Sequence, residues 1–262
     1  MQPVTLTSGQ WKRIELPGSR IEQHASLWRF ANTPGQAEGY TNAQIDDYQG
    51  RRRQQFPWRP PLTLTVRARF SHRDLRGTAG FGFWNDPFLM TGLRLPALPR
   101  ALWFFHGAPP HDLKLAKDVP GHGWKAATVD AIRLPFFLLA PTAPLAIPLM
   151  NIKPLYEALW PVGQRAIGVS EHLLPADLLP EWHTYTLAWG REQAVFRVDG
   201  EVVHTTGDPP GGPGGLGSPL GFVLWIDNQA LTLTPWGRFG WRTVDLPREQ
   251  WMEVSELNIE PE

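Results

Sequence analysis

The 262-residue sequence predicts an all-β fold, a sandwich of two antiparallel sheets, on three observations. Residues 62–70, LTLTVRARF, alternate cleanly: Leu62, Leu64, Val66, Ala68 and Phe70 share one face, and Thr63, Thr65, Arg67 and Arg69 the other. Residues 181–205, EWHTYTLAWGREQAVFRVDGEVVHT, carry apolar runs on both sides of Asp199-Gly200, a two-residue hairpin signal. The 27 prolines and 25 glycines give a turn-rich composition unlike that of a helix bundle.

The remaining elements follow in order. AGFGFWN (79–85) reads as a strand whose glycines permit close backbone approach. ALWFFH (101–106) reads as a strand apolar on both faces. The hairpin supplies three strand segments, LGFVLWID (220–227) another, and WMEVSELNIE (251–260) the last. GDPPGGPGGLGSP (207–219) is a crossover between sheets, because no helix follows that would make it a phosphate cradle.

One segment departs from this pattern. Leu134 to Ile152, LPFFLLAPTAPLAIPLMNI, has no charge and four prolines. Each proline costs ~3 kcal/mol in a helix interior, which excludes a membrane-spanning helix. The expectation is an apolar Pro-rich insertion packed on the sandwich, or used for homo-oligomer contact or as a docking surface. Pro154 to Trp160 reads as a short helix within it. The whole chain is expected to form one domain over residues 1–262, with the insertion at roughly 107–170.

Composition excludes several functions. Net charge is zero, so nothing steers the chain to nucleic acid. Arg51-Arg52-Arg53 is read as a solvated loop. The absence of cysteine removes disulfides, thiolate chemistry and Cys-bound metal. No cofactor, metal or transmembrane segment is implied. MQPVTLTSGQWKRIEL has no apolar leader core, which predicts a cytoplasmic location; a trimmed chain would instead be secreted. The 13 tryptophans exceed what one core needs and suggest that some line a cleft.

These segments resemble, in chain order, pieces of the family 16 glycoside hydrolases, the laminarinase and lichenase group. The most specific piece is His183, Tyr185, Trp189, Asp199 and Gly200, similar to the family's "FHTY-x-x-x-W" followed by "DG-x-x-V". FPWRPPLTLTVRARF, GTAGFGFWND, LGFVLWIDN and WMEVSELNIEP resemble four further strands. The resemblance covers about half the chain and implies a concanavalin A-like jelly roll. It also implies a reaction that this chain lacks the residues for. Retaining hydrolysis uses two carboxylates ~5 Å apart, in the family's E-x-D-x-x-E strand. That pattern occurs nowhere here, and residues 99–108 hold no carboxylate. In the register that the resemblance suggests, Arg100, Leu102 and Phe105 occupy the three acidic places. Ser255 stands where the family often carries a calcium-binding Asp, so that site is expected to be lost.

The resemblance therefore implies a degenerate relative that binds an oligosaccharide or another flat ligand in an aromatic-lined concave cleft. Trp84, Trp103 and Trp225 are candidate stacking residues, with core packing the competing reading. Asn85, Asn228, Arg67 and Arg69 are candidate polar contacts, against turn formation and an exposed sheet face. Asp86, Asp227 and the loop residue Glu171 are candidate relocated catalytic carboxylates, the alternative being that strand-end acids form turns. His183 is read as structural.

Overall fold

The alternating strand 62–70 sits as the sequence predicts, with its Leu/Val/Ala/Phe face buried and its Thr/Arg face turned outward. The computed structural model describes residues 3–35, 39–87, 95–212 and 216–262. Its first strands are β1 (Val4–Thr5), β2 (Lys12–Glu15), β3 (Ser19–His24), β4 (Leu27–Asn32) and β5 (Asn42–Asp46). Next come β6 (Leu62–Phe70), β7 (Thr78–Trp84), β8 (Arg100–Gly107), β9 (Asp112–Leu113) and β10 (Gly123–Asp130). Helices α1 (Leu134–Leu139), α2 (Ala143–Leu149) and α3 (Lys153–Ala166) precede β11 (Ser170–Leu174). The chain continues through β12 (His183–Trp189), β13 (Gln193–Val198), β14 (Glu201–Gly207) and β15 (Gly221–Asp227). It closes with β16 (Gln229–Leu233), β17 (Phe239–Thr243) and β18 (Gln250–Pro261).

Among the described residues two large sheets form a jelly-roll sandwich. One runs β14-β13-β12-β6-β18-β4-β3, with β1 also paired to β18. The other runs β11-β10-β8-β7-β15-β5-β2, and its pairings are antiparallel. The core between them is aromatic. Phe81, Phe104, Trp124 and Tyr185 meet there with centroids 5.0–6.0 Å apart, Phe104 stacked on Trp124 and the other pairs edge to face or tilted. The hairpin turn forms as the sequence predicts: Asp199 and Gly200 both have positive φ, 51° and 86°, as a two-residue type I′ loop requires. The His183 Nδ1 lies 2.5 Å from an Asp199 carboxylate oxygen, pinning the turn to β12.

Of the stretch 107–170, residues 123–130 form β10 inside the seven-stranded sheet, while the helices occupy 134–166. Several of the prolines that block one long helix instead start short ones, while Pro148 and Pro161 lie inside α2 and α3. Pro135, Pro144 and Pro154 each lie in a first helical turn, where the missing N–H costs nothing. α3 anchors the excursion: the Trp160 indole donates to the Leu115 carbonyl at 2.8 Å, and Tyr156 packs on Trp236. Of the predicted crossover 207–219, residues 213–215 lie outside the described residues; the remainder links β14 of one sheet to β15 of the other. The segment 51–53 is less free than the solvated loop that the sequence suggests. Arg53 donates to the carbonyls of Asn85, Asp86 and Leu95 at 2.6–2.7 Å, clamping the end of β7.

Candidate functional site

Side chains of directly opposed residues in an antiparallel sheet share a face. The register of the seven-stranded sheet therefore gives the composition of its outer face row by row. One row reads Gln44, Trp225, Gly80, Phe105 and Lys125. The next reads Asp46, Val223, Gly82, Trp103, Ala127 and Glu171. A third places Trp84 beside Ala101 and Val129, and a fourth places Asn42, Asp227 and Thr78 together.

This pattern brings Trp84, Trp103 and Trp225 into one cluster, as the sequence suggests. Trp84 and Trp225 are stacked, and Trp103 lies 5.5 Å from Trp225 and 5.9 Å from Trp84. The two glycines make room for them. A Cβ on Gly80 would come within 2.3 Å of the Phe104 carbonyl and 3.1 Å of the Trp225 ring. One on Gly82 would come within 2.6 Å of Trp103. Two of the indole N–H groups are used inside the protein: Trp84 donates to the Tyr48 hydroxyl at 2.6 Å, and Trp225 to Thr78 Oγ1 at 2.9 Å.

Above this floor lies a cavity of about 660 Å³. Its walls are mostly carbon. Leu113, Leu115 and Val129 close one side, and the β16–β17 hairpin contributes Leu231, Leu233, Phe239 and Trp241. Phe239 and Trp241 line the cavity and are still 72% and 56% exposed, so they form its rim.

Asp227 is the carboxylate that reaches the cavity. It accepts from the Thr78 backbone N–H, the Thr78 hydroxyl, the Gln229 N–H and, at 3.2 Å, the Tyr40 hydroxyl. Burial outweighs these bonds and pushes its carboxyl up to about 6. Burial, helped by the Asp227 charge, also pushes the Tyr40 phenol well above its usual value. His111, against Phe105, is held down to about 3, chiefly by burial, and is neutral at physiological pH.

The other predicted site residues lie elsewhere. Arg67 and Arg69 belong to β6 in the opposite sheet, so they do not reach the concave groove. Arg69 pairs with Glu253 at 2.8 Å, Arg67 donates to the Ser255 hydroxyl, and both stack on Trp182. Asn85 and Asn228 are buried loop ties. Asn85 bridges Leu98 and Arg100, and Asn228 bridges Thr41, Gly39 and Val244. Asp86 is fully buried with φ 45° and is not among the cavity-lining residues. Glu171 is on strand β11 rather than on a loop, and its carboxylate is buried against Lys125 Nζ at 2.9 Å. On β8 the cleft-facing row is Ala101, Trp103 and Phe105, whereas Leu102 points into the core. Of the three places that the resemblance suggests, Phe105 is on this row and Arg100 also lines the cavity, whereas Leu102 does not.

Sequence reasoning missed the polar chain on β5, where the Asn42 amide donates to Gln44 and the Gln44 amide to Asp46. NAQID alternates polar and apolar residues but is only five residues long, and that its polar face is buried shows only in its pairing with β15. It also missed the hairpin rim, since Phe239 and Trp241 sit among polar neighbours.

Neither a protein-family model nor a curated protein matches the sequence. Solved structures do. An endo-acting O-glycanase of the human gut microbiota aligns over 97% of this chain and 92% of its own, with TM-score 0.51 and 11% identity. A GlcNAcα1-4Gal-releasing endo-β-galactosidase from Clostridium perfringens aligns over 95% of this chain but 57% of its own, with TM-score 0.52 and 12% identity. The chain shares their fold. The jelly roll of glycoside hydrolases is thus present, and at these identities the likeness speaks for the fold.

Proposed function

We propose that the protein is a degenerate relative of the glycan-cleaving jelly rolls that binds, and does not hydrolyse, a ligand in its concave cleft. The carrying observation is the Trp84–Trp103–Trp225 cluster at the floor of a 660 Å³ cavity in which Asp227 is the one carboxylate among the lining residues. Rings of this kind stack on any flat apolar face, including the C–H face of a sugar. The fold likeness to a glycanase and a galactosidase keeps carbohydrate in the ligand class. Hydrolysis through relocated carboxylates has less support. Asp86 does not line the cavity and Glu171 is tied to Lys125, so neither supplies a partner for Asp227.

The test is a thermal-shift screen with glycans and small aromatic or alicyclic molecules, run on wild type and on Trp103→Ala. Ligands that stabilise the wild type should lose their effect in the variant. Reducing-sugar release from β-1,3 or β-1,4 glucans that disappears in Asp227→Asn would show an active hydrolase and refute the reading.

A further inference from the structure

We infer that the cleft's ligand is a hydrophobic ring compound of sterol or terpenoid type carrying a hydroxyl group, rather than a sugar. This rests on the cleft being a binding site and narrows what it binds. A saccharide brings many hydroxyls, and each one buried without a partner loses about 1–3 kcal/mol. A site for it must therefore offer unspent donors and acceptors.

This cleft has spent most of its own. Thr78 Oγ1 donates to Asp227 and accepts from the Trp225 indole. Gln44 donates to Asp46 and accepts from Asn42. Arg100 is held by Asp130 at 2.8 Å and by the Ser218 carbonyl. Tyr40 donates to Asp227, and His111 Nδ1 accepts the Leu231 backbone N–H. Apart from the Gln229 amide, the rest of the wall is indole, phenyl and aliphatic carbon. An apolar ligand gains from every part of that wall, and the cavity volume lies in the range of roughly 300–1,000 Å³ usual for small-molecule sites.

Apart from His111 Nε2, which has no hydrogen-bond partner among the described residues, and the Gln229 amide on the wall, one polar anchor remains. A carboxylate has about four acceptor positions, two on each oxygen. Asp227 Oδ1 already accepts three N–H or O–H groups, whereas Oδ2 accepts only the Tyr40 hydroxyl. Oδ2 is thus placed to take one more donor, a hydroxyl at one end of a molecule whose body lies on the Trp floor. The exposed Phe239 and Trp241 would cover the ligand's outer edge.

The experiment titrates the full chain with Nile red, a neutral apolar probe, and competes it with testosterone or with laminarihexaose. Three proteins are compared: wild type, Leu231→Arg in the cleft wall, and Leu138→Arg on the exposed helices. We expect saturable Nile red fluorescence in wild type and Leu138→Arg, and at least about tenfold weaker binding in Leu231→Arg, whose guanidinium enters the apolar space. Testosterone should displace the probe and laminarihexaose should not. Displacement by laminarihexaose and not by testosterone would overturn the ligand class while leaving the cleft as a binding site. Nile red binding unaffected by Leu231→Arg, with no response to either competitor, would overturn both. Circular dichroism of Leu231→Arg separates loss of the site from loss of the fold, and Trp241→Ala, altered only at the exposed rim, repeats the test with less risk to folding.

Discussion

The indole rings of Trp84 and Trp225 lie 6.5 Å apart and within 8° of parallel, on neighbouring strands β7 and β15. Neither ring is free to turn: Trp84 is tied by its N–H to Tyr48, and Trp225 to Thr78. A fixed parallel pair of this kind couples the two indole transitions. Trp225→Phe should therefore abolish a near-ultraviolet circular dichroism couplet that wild type shows. Trp225→Ala should in addition cost about 3–5 kcal/mol, since the ring is 93% buried in its setting (7% exposed) and its loss leaves a cavity. A couplet that persists in Trp225→Phe would refute this pairing.

Gly80 is a second lever on the same floor. An added methyl would overlap the Phe104 carbonyl, which belongs to a sheet backbone and cannot easily retreat. Gly80→Ala should destabilise the protein by about 1–3 kcal/mol and weaken any cleft ligand, because the shift of β7 against β8 moves Trp103 and Trp225 together. Chemical denaturation and ligand titration of the variant measure the two effects. A variant as stable as wild type would contradict the close approach.

The strands that define the sandwich were legible because each is half-buried or flanked by turn signals. β6 shows this in its Leu/Thr alternation, and β12–β13–β14 in the Asp199-Gly200 turn. The strands that build the cleft wall were not. β5 alternates Asn42, Gln44 and Asp46 with the core residues Ala43 and Ile45, and its polar face is buried too, because its amides and carboxylate bond to one another instead of to water. β9 has two residues and exists only through its parallel contact with β16. The three tryptophans were nameable as a group because their strands are apolar on both faces. Their common row depends on register, which the sequence does not display, and the same ignorance placed Arg67 and Arg69 in the wrong sheet.

Stability should vary with pH in a way that isolates Asp227. Its folded carboxyl sits at about 6 against an ordinary 3.8, so its ionised form is disfavoured in the fold. The destabilising contribution is absent below about pH 4, grows as pH rises through this window, and is complete above pH 6; its size is about 3 kcal/mol. Asp227→Asn keeps an acceptor for Thr78 and Gln229 and can donate to the Tyr40 oxygen. It should melt higher than wild type at pH 8 and close to wild type at pH 4. Equal shifts at both pH values would show that ionisation of Asp227 is not the cause.

Two buried histidines and the half-buried His204 act in the opposite sense. His106, His111 and His204 are lowered to about 4, 3 and 4, mainly by burial. A depressed folded value means that the unfolded chain takes up these protons first. Their contribution is present above the unfolded value of about 6.5 and is lost as pH falls toward 4. Asp47, raised to about 7, costs stability as pH rises from about 4 to 7 and contributes no further change above that. On account of these groups, denaturation midpoints should therefore show no further change above about pH 7, and a midpoint still rising at pH 9 would be inconsistent with these shifts.

The last expectation concerns the helices at 134–166. The sequence predicts that the uncharged segment 134–152 must be covered by some surface, and the structure shows how much is left uncovered. Leu138 is 68% exposed and Leu145 72%, while Met150 is buried and Asn151 reaches the Trp236 carbonyl. Among the described residues no helix is long and apolar enough to cross a membrane. The excursion is thus fixed at its end by α3 and presents apolar side chains to solvent along α1 and α2. A double variant Leu138→Glu/Leu145→Glu removes no buried contact and should leave the thermal midpoint almost unchanged, within about 0.5 kcal/mol of wild type. It should also reduce concentration-dependent association, because contiguous exposed apolar surface is what drives such contact. Sedimentation velocity over a range of concentrations measures the association and a thermal melt measures the fold. A large drop in the midpoint would mean that these leucines pack on the protein after all. An unchanged sedimentation profile, in a wild type that does associate, would place the contact elsewhere on the molecule.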